Sequence, residues 1–257
     1  MRFKLTIISA LVVVFVASVA VSWRNPKAQQ GNSNASQGEP RTVRVVVTQL
    51  PVQDNVIPVE IIQATATSSA PNVLDDVTYF LKNNSGHAIS AVAVAKRVLY
   101  RENGKPYASL RYSVVDFAFN PNTDDAKPLT PNTQIPMEAS GPMDLGEGTT
   151  VESVKLEIEY VQYIGAVPYG TGTEGEQRVN SPRNGAKKYQ EYLAKTFSEA
   201  GQSLVTVIPL LEEQSYPEEL RFSQLENLGA DRYRHYLLKT LRTKGAGEVE
   251  KAIKLKR

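Results

Sequence analysis

From Val154 to Tyr160 the chain reads VKLEIEY, and apolar and charged residues alternate without a break. Val154, Leu156, Ile158 and Tyr160 would share one face of a strand, with Lys155, Glu157 and Glu159 on the other. That is the pattern of a strand with one face in a core and one in water. The same period of two recurs from Thr42 to Ile164, so this stretch is confined to β structure. VTYFLK repeats it with Val77, Tyr79 and Leu81. Further strands are expected over 43–49, 57–67, 110–119 and 133–138. No helical pattern separates them, which argues against a parallel α/β sheet. Pro58, Pro128, Pro131 and Pro136 suit edges and turns, because proline cannot donate to a central ladder.

Turns punctuate the strands. AISAVAVAKRVLY runs into RENGKP and returns through YASLRY. Asn103-Gly104 tolerates the positive φ angles of a type I′ turn, so a hairpin is expected there. Asn83-Asn84-Ser85-Gly86 forms a second turn cluster, with His87 entering the next strand. Tyr79-Phe80-Leu81-Lys82-Asn83-x-Ser85-Gly86-x-x-Ile89 resembles the strand–turn–strand of bacterial exported immunoglobulin-like domains. The resemblance spans about fifteen residues and implies a fold, a β-sandwich of about seven strands. It implies no catalytic or ligand residue. His87 is read as a turn or strand-edge residue.

After Gln162 the character changes. YIGAVPYGTGTEGEQRVNS is Gly-rich and aperiodic, and a loop is expected over 165–181. Ser181-Pro182 offers an N-cap followed by a first-turn proline. Ala186, Tyr189, Leu193 and Phe197 then recur at helical spacing, with Gly201 to end the helix. SLVTVIPLLEEQ is read as a helix kinked at Pro209. PEELRFSQLENL is expected to end at Gly229. ADRYRHYLLKTL places Ala230, Tyr233, Leu237 and Leu241 on one face, and a short basic end follows Gly245-Ala246-Gly247.

The start of the sequence reads as an address. Arg2 and Lys4 precede a mostly apolar run of 19 residues, Leu5 to Trp23. A small-residue site at Ser18–Ala20 fits signal-peptide cleavage. The length also fits a single membrane-spanning helix. Both fates stay open, and both place the rest of the chain outside the cytoplasm. Residues 24–41, rich in Gln, Asn, Ser and Gly, are expected to be a flexible tether.

Composition removes several chemistries. There is no cysteine, hence no disulfide, thiolate nucleophile, iron–sulfur cluster or lipidated cysteine. A net charge of +2 does not suit a dedicated nucleic-acid binder. The charge is uneven: residues 43–165 carry nine Lys and Arg against fourteen Asp and Glu, and residues 182–257 carry fourteen against ten.

Several groups resemble sites in part. Gly170-Thr171-Gly172-Thr173-Glu174-Gly175 spells a dinucleotide-type GxGxxG. That motif needs a preceding strand and a helix opening directly after it. The flanking residues look like loop, so a linker is expected. Asp75-Asp76 and Asp124-Asp125 lack EF-hand spacing, though the second pair sits in a loop where Ca²⁺ ligands could gather. Arg232 to Lys244 mixes basic and aromatic residues, read as a solvated helix with a packed stripe. No catalytic, cofactor or metal residue is assigned.

The expectation is mainly β with an α-helical C-terminal part. Its order is a signal or anchor at 1–23, a linker at 24–41, an immunoglobulin-like sandwich at 42–164, a loop at 165–181 and helices at 182–257. The function expected is non-enzymatic binding or structure in the cell envelope, with another envelope protein as partner and no nucleic acid. Residues 5–23 would give any membrane association. The alternative is an exported hydrolase or carbohydrate-active protein, with its site in a cleft between sandwich and helices, using an acid such as Asp116 or Glu191, with His235 as a candidate beside it.

Overall fold

The alternating segments form strands, and their pairings build two facing sheets. The computed structural model describes residues 40–52, 56–117, 127–139, 142–213 and 215–254. The first sheet joins β1 (Arg41–Thr42), β3 (Val59–Ser68), β5 (Asp76–Asn83) and β8 (Gln134–Ala139) in that order, all antiparallel. The second joins β2 (Arg44–Thr48), β10 (Thr149–Tyr163), β6 (Ile89–Glu102) and β7 (Lys105–Asp116). Only β2 and β10 are parallel. A small pair, β4 (Val73–Leu74) with β9 (Met143–Asp144), accompanies them. Val43 lies between β1 and β2, so one extended segment serves both sheets. Pro136 lies in β8, an edge strand, where its missing N–H costs no ladder bond.

This is a mainly β fold with mixed sheets and a C-terminal helical part. An immunoglobulin domain carries strands ABED in one sheet and CFG in the other. Here β3 and β5, separated in sequence only by the short β4, pair directly, with β1 and β8 on either side.

One apolar cluster fills the space between the sheets. Val59, Ile61, Tyr79 and Leu81 from the first meet Val92, Val94, Val98, Val154, Leu156 and Ile158 from the second. The alternation in VKLEIEY holds as far as Ile158. The register then slips between Ile158 and Tyr160. This β-bulge turns Tyr160 to the opposite face of the sheet, correcting the expectation that it shares a face with Ile158. There it is buried with Ala91, Ala93 and Val179. The two small alanines leave room for the first helix to lie on the outside of the second sheet.

That helix, α1, runs Glu174–Glu199. It starts eight residues before Pro182, so residues 174–181 are helix rather than loop. Thr173 is the N-cap, its hydroxyl accepting from the Glu176 N–H, and Pro182 sits inside the helix. α2 (Val207–Glu212) has Pro209 at its third position, where no intrahelical N–H is needed. α3 (Gln224–Lys244) opens on a capping box between Ser223 and Glu226. It continues through Gly229, which therefore does not end a helix. α4 (Ala246–Lys254) follows Gly245.

Gly229 is interior because it is a contact. A Cβ there would sit 1.7 Å from the Pro182 carbonyl oxygen, and one on Gly185 would sit 1.9 Å from that of Glu226. The two glycines let α1 and α3 touch backbone to backbone, running in opposite senses. Tyr189, Leu193, Phe197, Tyr233, Leu237 and Ile253 lie in the helices' own core. Gln190 and Tyr233 donate to the buried Ala252 carbonyl, one of the last carbonyls of α4 that lack an intrahelical partner.

Candidate interaction surface

The longest exposed edge of the β region is β7, and the turn that creates it dictates its chemistry. Asn103 and Gly104 take φ of 50° and 79°, as a type I′ turn requires. A twelve-pair ladder follows, from Glu102↔Lys105 to Ala91↔Asp116. In a two-residue hairpin the closing pair exchanges both backbone hydrogen bonds, and bonded pairs then alternate. Odd-numbered residues of β7 therefore bond to β6, a parity that the Phe117 N–H to Ser90 carbonyl bond continues. The N–H and C=O groups of Ala108, Leu110, Tyr112 and Val114 point away from the sheet. Pro106 obeys the same parity, its nitrogen facing outward where no donor is needed. Among the described residues no backbone group bonds to this row.

The side chains on this edge are unusually apolar for a wet strand. Tyr107 is 45% exposed, Leu110 43% and Val114 37%, with Leu99 of β6 beside them. Tyr100 and Tyr107 stack across the hairpin at 5.9 Å between ring centres. Lys105 and Arg111 alternate with the apolar residues, and both are exposed. The neighbouring cations of β6 are already engaged, Arg97 with Glu157 and Glu159, and Arg101 with Glu152.

The far end of β7 is locked to α1. Arg183 binds Asp116 through two hydrogen bonds and donates a third to the Gln162 side chain at 2.6 Å. Tyr112 donates to Glu159 at 2.8 Å, and the Arg178 guanidinium lies 5.0 Å over its ring. Burial and that carboxylate both push the Tyr112 hydroxyl well above the usual tyrosine range. One end of the strand is thus fixed while the hairpin end projects with its edge open.

The residues singled out from sequence are dispersed. His87 lies exposed in the bend between β5 and β6, its ring edge-on to Tyr163 at 6.3 Å. The bend is organised by buried Asn83, which donates to the His87 and Leu129 carbonyls and accepts from Ser85. Asp116 is held by Arg183. Glu191 is exposed on α1, 3.9 Å from Lys187. His235 is exposed, its Nδ1 2.7 Å from the Asp231 carbonyl of its own helix. Each of the three has a separate local partner. Asp75 accepts from Ser69, and Asp76 is exposed on β5. Asp124 and Asp125, and residues 1–39, lie outside the described residues. Among the described residues no three His, Asp or Glu side chains are grouped to hold a metal, and no helix is long and apolar enough to cross a membrane.

The GxGxxG stretch has the strand and the helix that sequence did not suggest, in a different role. Tyr169 bridges back to Val161 of β10 through two backbone bonds. A Cβ on Gly170 would sit 1.8 Å from the Glu159 carbonyl oxygen. Glu176 takes the Gly172 N–H at 2.6 Å. The loop lies flush on the strand, and the Glu176 carboxylate occupies the Gly172 N–H just ahead of the Thr173 cap.

Arg232 to Lys244 forms most of α3. Tyr233 and Leu237 are buried, Arg232, Lys239, Arg242 and Lys244 are exposed, and Arg234 is half-buried. Beside it, a cleft of about 480 Å³ is lined by Tyr216, Arg221, Phe222 and Arg234. Arg234 is tied to Asp231 and to the Glu213 carbonyl, and Tyr216 donates to Asp231. The cleft belongs to the helical part and does not lie between sheets and helices.

The β7 edge left a trace in the sequence that the strand reading passed over. Pro106 two residues after an Asn-Gly turn, with cations alternating behind it, marks an edge rather than a central strand. Comparison with known proteins finds no matching family model, no similar curated protein and no similar solved structure.

Proposed function

We propose that this chain is a non-enzymatic interaction protein of the cell envelope, acting outside the cytoplasm on a two-sheet scaffold of immunoglobulin-like kind. The observation that carries the reading is the open β7 edge: outward N–H and C=O groups flanked by exposed Tyr107, Leu110 and Val114. A long, partly apolar edge is a template for another polypeptide strand. The apolar run at 5–23 and the polar stretch between it and β1 support a placement that holds this scaffold off a membrane surface. Another envelope protein is the partner. The hydrolase alternative draws on Asp116 or Glu191 with His235, and each of these is engaged with a separate partner.

The test is crosslinking capture of the tagged full chain in its native envelope, beside Leu110→Pro. Leu110 has its N–H directed outward, so proline there removes an edge donor without breaking the β6 ladder. A stoichiometric partner lost in the variant is the expected result. Capture unchanged by the variant, or a defined turnover abolished by one side-chain change, overturns the reading. The same spectra give the N-terminal peptide and show whether residues 1–20 stay attached.

A further inference from the structure

We infer that the β7 edge takes an extended segment of a partner polypeptide in which apolar residues alternate with acidic ones, added as an antiparallel strand; this rests on the interaction reading above. Strand parity separates the two faces the segment would meet. Side chains at even positions, Ala108, Leu110 and Val114, lie on the side of the sheet that carries α1 and offer apolar contact. Odd positions present Lys105, Tyr107 and Arg111 on the other side. Residues of an added strand also alternate between these faces. One set packs on Leu110 and Ala108, and the other sits beside the cations.

Charge decides the second set. Lys105 stands opposite Glu102 in the closing pair, but among the described residues no carboxylate forms an ion pair with Arg111, whereas Arg97 and Arg101 of β6 both have partners. Like charges directly opposite one another oppose strand pairing. The cations therefore reject basic strands and favour acidic ones, so the feature that guards the edge also selects its partner. A second copy of this chain is disfavoured by the same argument. Two-fold pairing about residue 111 sets Arg111 against Arg111, and pairing about residue 110 places the two arginines diagonally beside each other. Pro106 bounds the site at the hairpin end, and the Arg183–Asp116 clamp bounds it at the other.

The test measures binding of fluorescent, end-blocked (Val-Glu)₄ and (Val-Lys)₄ peptides to the full chain by anisotropy. The expected result is at least tenfold tighter binding of (Val-Glu)₄. Arg111→Glu should reverse that preference, and Leu110→Pro should weaken (Val-Glu)₄ binding at least tenfold. Arg111→Glu changes an exposed side chain, so it remains informative where Leu110→Pro does not fold. Equal binding of both peptides, or a preference unmoved by Arg111→Glu, overturns the inference. If envelope capture still depends on Leu110 in that case, the interaction reading stands with a partner of other chemistry. If neither capture nor peptide binding responds to β7, both fall. A concentration-dependent dimer in sedimentation, abolished by Leu110→Pro, would assign the edge to a second copy and also overturn the inference.

Discussion

Arg183 of α1 and Asp116 of β7 are joined by two parallel hydrogen bonds, Nε to Oδ2 at 2.6 Å and Nη2 to Oδ1 at 2.7 Å. The pair is 67 residues apart in sequence and ties the helix to the end of the edge strand. Its side chains are only 22% and 10% exposed, so water screens it weakly. Arg183→Ala leaves a carboxylate without its fork of donors and is expected to cost about 2 kcal/mol. Arg183→Lys should recover only part of this, because an ammonium cannot form both bonds in parallel. Urea unfolding of the three proteins checks the ranking.

The α1–α3 crossing predicts opposite outcomes for one kind of substitution. Gly185→Ala and Gly229→Ala each push a methyl group into a backbone carbonyl of the other helix, with no flexible side chain to yield. A loss of about 3 kcal/mol is expected for either. At Gly247, in α4, a methyl group would meet nothing within 4 Å. Gly247→Ala should stabilise by about 0.5 kcal/mol, through lost freedom of the unfolded chain. Thermal melts of the three variants test the contrast.

Among the described residues the Tyr79 hydroxyl, buried in the two-sheet core, has no hydrogen-bond partner of ordinary geometry. Burial pushes it up from 10.0 to about 12, with a smaller opposing influence from nearby Ser113. The folded chain therefore holds this proton at pH values where the unfolded chain has lost it. Between pH 10 and about 12 the unfolded state binds fewer protons, so stability falls as pH rises. Tyr79→Phe should be neutral or stabilising by about 1 kcal/mol at pH 8. It should also flatten the decline above pH 10, measured by denaturation at pH 8, 10 and 11.

The acid limb has a different origin. Lys188, bonded to Glu226 at 2.6 Å, holds this carboxyl below the usual range, and the Ser223 backbone N–H adds to the effect. A depressed folded value contributes stability above pH 4.5 that is lost as pH falls through the folded value. Glu226→Gln keeps the acceptor of the capping box and removes the charge. It should cost about 0.5 kcal/mol at pH 7, since Lys188 is half exposed, and should reduce the fall in stability below pH 4.5. Denaturation between pH 3 and 7 checks it.

Local pattern carried far in this chain. Val77, Tyr79 and Leu81 are buried as their alternation requires, and Ala186, Tyr189, Leu193 and Phe197 as their helical spacing requires. Asn103-Gly104 formed its turn. The misreadings share a cause. Pro182 and Gly229 look like helix boundaries by local preference, yet each lies within a helix where α1 meets α3. Tyr160 looks like a fourth core residue of its strand, yet a bulge gives it to the helix. Packing between distant segments outweighed local preference at all three.

The candidate surface divides in the same way. The period of two, the hairpin turn and the helical stripes follow from each residue's own geometry and hydrophobicity, and the sequence alone determined them. Which strands became neighbours depends on contacts between segments dozens of residues apart. Pro106 hinted at an edge in advance, but only the tertiary structure decided that, among the described residues, no strand pairs with the outer side of β7, and that Arg183, 67 residues away, holds Asp116. Those properties arise from what lies beside a residue in space, and no local pattern encodes that.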